Sequence, residues 1–249
     1  MAQCDTATLM AKIKKIFIEG RGCYGSRRIQ AELKKSDLNL SRARVRKLML
    51  QAGLHCKTKR KFKVTTDSKH DLPIAPNLLQ RNFSATKPNE KYVGDITYIW
   101  TQEGWLYLAV VIDLFSRQVV GWAMDKHMQA TLVNDALLMA IWRRKPKHKL
   151  LWHTDRGSQY ASKEHRDLLK DHGIIQSMSR KGNCWDNAPA ESFFHTLKTE
   201  CVHHMYFEDR KQAKQIIFEY IEVFYNRKRS HSANNYLSPN EYEIKLKFA

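Results

Sequence analysis

An acid closes the apolar run LLWHTDRGSQY: Asp155 stands at its end, with Arg156, Gly157, Ser158 and Gln159 directly behind it. A carboxylate at the end of a buried strand is either a solvated loop residue or a metal ligand at the edge of a site, and position alone leaves both open. Two further acids bear on the choice. Asp95 lies inside the alternating run KYVGDITYIW, and Glu191 lies in GNCWDNAPAESFFHTLKTEC, one helical turn before His195 and two before Lys198. That spacing turns Glu191, His195 and Lys198 towards roughly one face of a helix. Carboxylates forced together repel, and each holds its proton to higher pH. A divalent cation relieves them, and oxygen-only ligands with open positions suit Mg²⁺ or Mn²⁺. Two such ions, ~3.5–4 Å apart, can activate a water or a 3′-hydroxyl on one side of a phosphodiester and stabilise the leaving oxygen on the other.

The elements that must position these groups follow from periodicity. Leu9, Ile13, Ile16 and Phe17 predict a helix over 7–19, Ile29 and Leu33 a second over 26–35, and Val45, Leu48 and Met49 a third over 42–52, with Ser41 as its N-cap. Arg42, Arg44, Arg46 and Lys47 lie largely off the apolar face of the third helix, as in a helix-turn-helix; the alternative is a plain bundle with a solvated basic face. KTKRKFK and the proline-containing DLPIAPN and ATKPNEKY read as a linker or an extended arm. KYVGDITYIW, WLYLAVVIDLF and SRQVVGWAMD then predict three adjacent strands, followed by a helix over 130–143, a buried strand over 149–154, a short amphipathic helix, a fifth strand in IIQSMS, and helices over 187–200 and 209–227. The order βββαβαβα is that of an α/β ribonuclease H-like core, a mixed sheet flanked by helices, preceded by a small basic helical unit. In that order the first and fourth strands lie side by side, which would bring Asp95 and Asp155 together. The expected division is residues 1–54 for the helical unit, 55–90 for the linker, 91–205 for the core and 206–249 for a C-terminal helical extension.

Charge points the same way. Residues 1–91 hold 21 Lys and Arg against 7 Asp and Glu, a net of +14, whereas residues 92–249 hold 22 against 18, a net of +4. Such asymmetry predicts a polyanionic partner, nucleic acid first. No apolar run approaches the ~20 residues that cross a bilayer, and the N-terminus lacks a signal-peptide pattern, so a soluble, intracellular protein is expected. The five cysteines, Cys4, Cys23, Cys56, Cys184 and Cys201, are scattered without a C-x-x-C pair, which fits neither a disulfide framework nor a zinc ribbon. Cys201, His203 and His204 form half a zinc site at most. Asn187 is open between orienting DNA or Glu191 and capping the helix. Ser179, Arg180, Lys181 and Gly182 read as a mobile loop that closes on DNA.

YVGDITYIW, VVIDLFSRQVVGW, HTDRGSQY, SRKGNCWDNAPAESFFHTLKTE and YNRKRSHSANNYLSPNEYE, with YGSRRIQAEL and SRARVRKLMLQAGL near the front, closely resemble the transposases of the IS3 group of bacterial insertion sequences. These share the DDE integrase core with retroviral integrases, and the resemblance covers roughly residues 20–245. Asp155 and Glu191 have 35 residues between them and Lys198 stands seven past Glu191, as the group's pattern has it. The resemblance implies that Asp95, Asp155 and Glu191 are catalytic and bind two Mg²⁺ ions, with Mn²⁺ able to substitute; Asp113, which also ends an apolar run in VIDLFSR, is outside that triad and reads as structural. It implies 3′-end cleavage and strand transfer on double-stranded DNA, both transposon ends and target, by a homo-oligomer in the bacterial cytoplasm, associated with the nucleoid and with no membrane. DNA contacts are expected at Lys198, Arg156, Ser158, Gln159, Arg180, Lys181 and Asn187 around the site, at Arg42, Arg44, Arg46 and Lys47 on the third helix, and at Arg227 and Arg229. The group's full-length enzymes usually carry a further helix-turn-helix and a leucine zipper, joined by frameshifting. No heptad run occurs here, so the chain resembles the downstream frame, with the upstream-frame protein or its fusion as a partner. Two other readings stand beside this one: an inactive or domesticated DNA-binding regulator, and a nuclease acting on RNA–DNA hybrids.

Overall fold

In a computed structural model of the chain, which describes residues 6–57, 72–147 and 149–247, five strands form one mixed sheet in the order β3-β2-β1-β4-β5. β1 (Lys91–Thr101), β2 (Gly104–Asp113) and β3 (Val119–Asp125) are antiparallel neighbours, and β4 (Leu151–Thr154) and β5 (Ile175–Met178) add in parallel beyond β1. β2 explains the layering. Its nearly continuous apolar run is divided by the pleat, with Leu106, Leu108, Val110 and Ile112 entering one apolar cluster and Ala109 and Val111 the other. A strand covered on both faces has no polar parity to spare.

One face carries α4 (Ala130–Arg144), through Leu132, Val133, Ala136, Leu137 and Ala140, and α6 (Lys163–Asp171), through Leu169; the short α5 (Ser158–Ala161) lies between β4 and α6. The other face carries α7 (Ala188–Glu200) and α8 (Arg210–Phe218), which continues as a π-helical stretch, Glu219–Tyr225. The βββαβαβα order is the expected one. The helix expected over 209–227 is split between α-helical and π-helical turns, and α5 and α9 (Pro239–Lys247) come in addition.

α1 (Thr6–Glu19), α2 (Ser26–Lys35) and α3 (Arg42–Gln51) have the expected bounds to within a residue, and the Ser41 hydroxyl accepts from the Arg44 amide at 3.2 Å. Their Leu9, Ile13, Ile29, Leu33 and Val45 belong to the same apolar cluster as α7 and α8. Glu200, at the end of α7, is the polar centre of the junction. Arg229 forks onto it at 2.8 and 2.7 Å, Tyr220 donates to it at 2.9 Å, and Arg28 of α2 reaches it at 3.5 Å. The Ser230 amide donates to the Tyr24 hydroxyl at 2.7 Å, and Arg21 pairs with Glu219. This corrects the expectation for Arg229. Its side chain is 4% exposed, because a buried carboxylate needs a buried counter-charge; Arg227 and Lys228 beside it stay exposed.

Of the expected linker, residues 58–71, and with them most of KTKRKFK, lie outside the described residues. Residues 72–90, though mostly exposed, are fastened to the core at a few points. Leu79 is buried, the Leu78 and Leu79 amides donate to Ser177 Oγ at 2.9 and 3.2 Å, and Arg81 pairs with Asp186 at 2.8 Å.

Candidate active site

β1 and β4 run in parallel with Val93 opposite His153. Two residues further along each chain stand Asp95 and Asp155, on the side of the sheet that faces α7. The register is held by a close approach. A Cβ on Gly94 would come within 2.1 Å of the Trp152 ring, so only glycine lets this indole lie against β1. Below Asp155, His153 is clamped between Ser177 Oγ at 2.8 Å and Ser179 Oγ at 3.2 Å, and burial lowers its pKa to about 4. Sequence reasoning had no signal for this neutral imidazole.

Asp155 Oδ1 accepts the Gly157 amide at 2.9 Å. The Gly157 backbone (φ −58°, ψ 142°) is open to any residue. The constraint is space: a Cβ would stand 3.0 Å from Gln159 Oε1 and 3.1 Å from Asp155 Oδ1.

α7 brings the third acid. A 3₁₀ turn, Cys184–Asn187, leads into it, and Pro189 occupies its first turn. Ala190, Phe193, Phe194 and Leu197 face the core, leaving Glu191 and Lys198 half-buried at the cleft and His195 exposed. Asn187 neither caps the helix nor faces solvent. Its side chain is 4% exposed, its Nδ2 donates to the Gly94 carbonyl at 3.1 Å, and its Oδ1 is buried without a protein partner. It ties the start of α7 to β1 next to Asp95.

The electrostatics report the convergence. The Asp95 carboxyl is pushed well above the ordinary range by burial first and by Asp155 and Glu191 next, against a 2.8 Å hydrogen bond from its neighbour Ile96 and the attraction of Lys198. Glu191 is raised by burial and by Asp155. Lys198 is lowered by burial, and Asp95 holds it back. Three acids therefore share one cleft with one ammonium. Among the described residues no three His, Cys, Asp or Glu side chains are drawn in tightly enough to hold an ion as they stand, so a metal here would have to gather the acids. Nor, among the described residues, do Cys201, His203 and His204 form such a group.

The rim residues divide by what holds them. The Arg156 Nε donates to the Ser179 carbonyl at 2.6 Å and Gln159 Nε2 to the Met128 carbonyl at 3.1 Å, while Ser158 and Lys181 are exposed. Arg180 clasps Asp186 through two bonds of 2.9 and 2.8 Å, and its amide adds a third at 3.0 Å. These bonds, with Arg81, hold the Asp186 carboxyl far below its usual range, and they pin the loop over residues 179–182. On α3, Arg42, Arg44, Arg46 and Lys47 are all exposed while Val45, Leu48 and Met49 are buried. Asp113 is structural, as expected: fully buried, bonded by the Asn89 and Phe115 amides at 2.9 and 3.0 Å and paired with Arg144 at 3.3 Å.

The chain is similar to known proteins along most of its length. Residues 85–184 and 191–246 match two family models described as integrase core domain, and residues 4–62 match an HTH-like domain. The chain is 46% identical over 237 residues to the insertion element IS600 uncharacterized 31 kDa protein of Shigella sonnei, across 95% of this chain and 87% of that protein. It is 46% identical over 242 residues to transposase InsF for insertion sequence IS3A of Escherichia coli (strain K12), across 97% of this chain and 82% of that one. Among solved structures, a chain of the simian T-cell lymphotropic virus intasome in complex with PP2A regulatory subunit B56 gamma superposes with a TM-score of 0.52 at 18% identity, over 86% of this chain and 70% of that chain. That likeness is one of fold: a ribonuclease H-like core.

Proposed function

This chain belongs to the IS3 family of insertion-sequence transposases, and we propose that Asp95, Asp155 and Glu191 are its catalytic carboxylates, nicking DNA at the 3′ ends of an insertion sequence and joining each freed 3′-hydroxyl to a second phosphodiester. The observation that carries the reading is the crowding of acids from β1, the end of β4 and α7 in one cleft, where burial first and acidic neighbours next hold both Asp95 and Glu191 to higher pH. An all-oxygen donor set with surplus negative charge fits a hard dication. Asp95, Asp155 and Glu191 would hold two Mg²⁺ ions, or Mn²⁺ in their place, which supply activation of the attacking oxygen and charge neutralisation at the leaving one.

The chain's own groups orient the reactants. Lys198 binds the phosphate beside the acids. The Asn187–Gly94 tie keeps Glu191 in place relative to Asp95. Arg156, Ser158, Gln159 and Lys181 meet the backbone of the DNA at the rim, and Arg42, Arg44, Arg46 and Lys47 on α3, with Arg227, meet phosphates further out. We read residues 1–54 as the DNA-binding unit, 55–90 as its connection, 91–205 as the catalytic core and 206–249 as the helical extension that closes it. Double-stranded transposon ends and target DNA are the partners, in the bacterial cytoplasm at the nucleoid. Pairing two ends calls for a homo-oligomer, and the upstream-frame protein is a candidate companion. The intact triad with Lys198 tells against an inactive regulator.

Strand transfer on a labelled oligonucleotide carrying the terminal repeat beside this gene tests the reading, with Mg²⁺, Mn²⁺ or EDTA and with wild type and Glu191→Gln in parallel. Metal-dependent joining that disappears in the variant while DNA binding stays is expected. Joining by Glu191→Gln within a few-fold of wild type, or joining in EDTA, would overturn it. Cutting confined to RNA–DNA hybrids would favour the nuclease.

A further inference from the structure

A groove of about 530 Å³ opens at the end of the β1–β2 hairpin, within the roughly 300–1,000 Å³ of small-ligand clefts. Alternation puts Tyr98 and Trp100 on one side of β1, and the register sets Trp100 opposite Trp105. Trp105 meets Trp100 at 4.8 Å and 75°, and Tyr98 at 4.9 Å and 82°, both edge to face. The residues between α7 and α8 supply Tyr206 as a further wall. These rings are not packed away: Trp100 is 53% exposed, Trp105 42% and Tyr206 71%. The groove is also preformed. The Gln102 amide donates to the Phe207 carbonyl at 3.1 Å, and Arg210 donates to the Trp105 and Glu103 carbonyls at 3.0 and 2.6 Å. Its inner wall is Lys198, whose Nζ lies 4.9 Å from the centre of the Tyr98 ring. Among the described residues no Asp or Glu lines it.

We propose that this groove stacks an unpaired nucleobase of the DNA strand whose phosphate is held at Lys198. The inference rests on the reading of the carboxylate cleft as a DNA-processing site, because Lys198 belongs to both. Exposed indole and phenol rings receive any base by its π-face, which is how sequence-tolerant single-strand sites are built. Lys198, which Asp95 attracts from the carboxylate cleft, brings a positive charge to a groove otherwise walled by rings, aliphatic side chains, Gln102 and His203, and a nucleotide brings both a ring and an anion. A protein covering the groove would have to desolvate Lys198 with no acid on this side to pair with it.

The test is equilibrium binding in EDTA, where no strand is cut. One probe is a duplex with a fully paired end; the other is the same duplex with a short unpaired tail carrying 2-aminopurine. Wild type should prefer the tailed end by roughly tenfold or more and change the 2-aminopurine fluorescence. Trp100→Ala and Trp105→Ala should lose most of that preference, and Trp100→Phe should keep much of it; the ratio between the two ends corrects for variants that fold poorly. Equal affinity of wild type for both ends would overturn the proposal, as would a preference that survives in the double alanine variant. Loss of self-association in the alanine variants with the preference unchanged would also overturn it and make the groove a contact for a second copy. A tailed-end preference in a protein that never joins strands would count against the proposed chemistry and not against the groove.

Discussion

Asp95 and Asp113 lie on adjacent strands of one sheet, Asp95 opposite Val110 and Asp113 opposite Tyr92, yet they are treated in opposite ways. Asp113 has its counter-charge built in: two backbone amides, and an Arg144 guanidinium that also bonds both oxygens of Glu243 at 2.8 Å. Burial still raises its carboxyl to about 6, and these partners limit the rise. Asp95 has one amide and the pull of Lys198, and it faces two more acids. An acid neutralised from within the chain is architecture. Acids left in surplus on a rigid sheet edge are arranged for a cation from outside.

Activity gives the widest contrast. Asp155→Asn should lower strand transfer by roughly a thousandfold or more, the scale of losing one member of a catalytic unit. Asp113→Asn, per folded molecule, should stay within a few-fold of wild type. Equal losses in the two, assayed side by side, would erase the distinction. Stability should reverse the ranking. Arg144→Met strands Asp113 and Glu243 without a cation and should cost about 3–5 kcal/mol in chemical denaturation; a loss under about 1 kcal/mol would mean that the cluster is not the fastening described here.

Acid titration sharpens the role of Asp113. His165 is a buried neutral imidazole, accepting from Trp152 Nε1 at 3.0 Å and lying 2.7 Å from Asn134 Oδ1, with its pKa lowered to about 4. Between pH 6.5 and 4 the unfolded chain takes a proton that the fold refuses, so stability falls by up to about 3 kcal/mol. Asp113 works in the opposite sense from pH 6 down to its ordinary 3.8, because the fold takes that proton first. Urea midpoints of Asp113→Asn should therefore fall more steeply over this window than those of wild type, and parallel curves would refute the assignment. The smallest effect is expected at Asp95. In EDTA, Asp95→Asn removes one crowded charge and should leave the melting midpoint equal or higher, by about 2–4 °C at most. It should also lack the rise that Mg²⁺ gives wild type. A clear destabilisation in EDTA would mean that Asp95 is held as Asp113 is.

Much of this was legible in the residues. Strand alternation, the Ser41 cap and the order of elements are local signals, and they suffice to put Asp95 and Asp155 on neighbouring strands. The misses share one physical origin: a side chain's partner lies far away in sequence. Arg229 reads as a surface cation until Glu200 is found across from it. Asn187 stays open between capping and orienting until the Gly94 carbonyl is seen beside it. α9 is a different case, since its signal was present. In SPNE, Ser238 and Glu241 cap reciprocally, with the Ser238 amide donating to Glu241 at 2.7 Å and the Glu241 amide to Ser238 Oγ at 3.2 Å.

The junction at Glu200 has a metrological consequence. Arg28 on α2 and Arg229 near the C-terminus meet on the last residue of the helix that carries Glu191. A basic helix fastened there cannot swing freely relative to the carboxylates. For a chain that grips one duplex with α3 and with the carboxylate edge at once, the distance from the gripped base pairs to the broken bond is then set by the protein, as on a caliper, and not by the length of a tether.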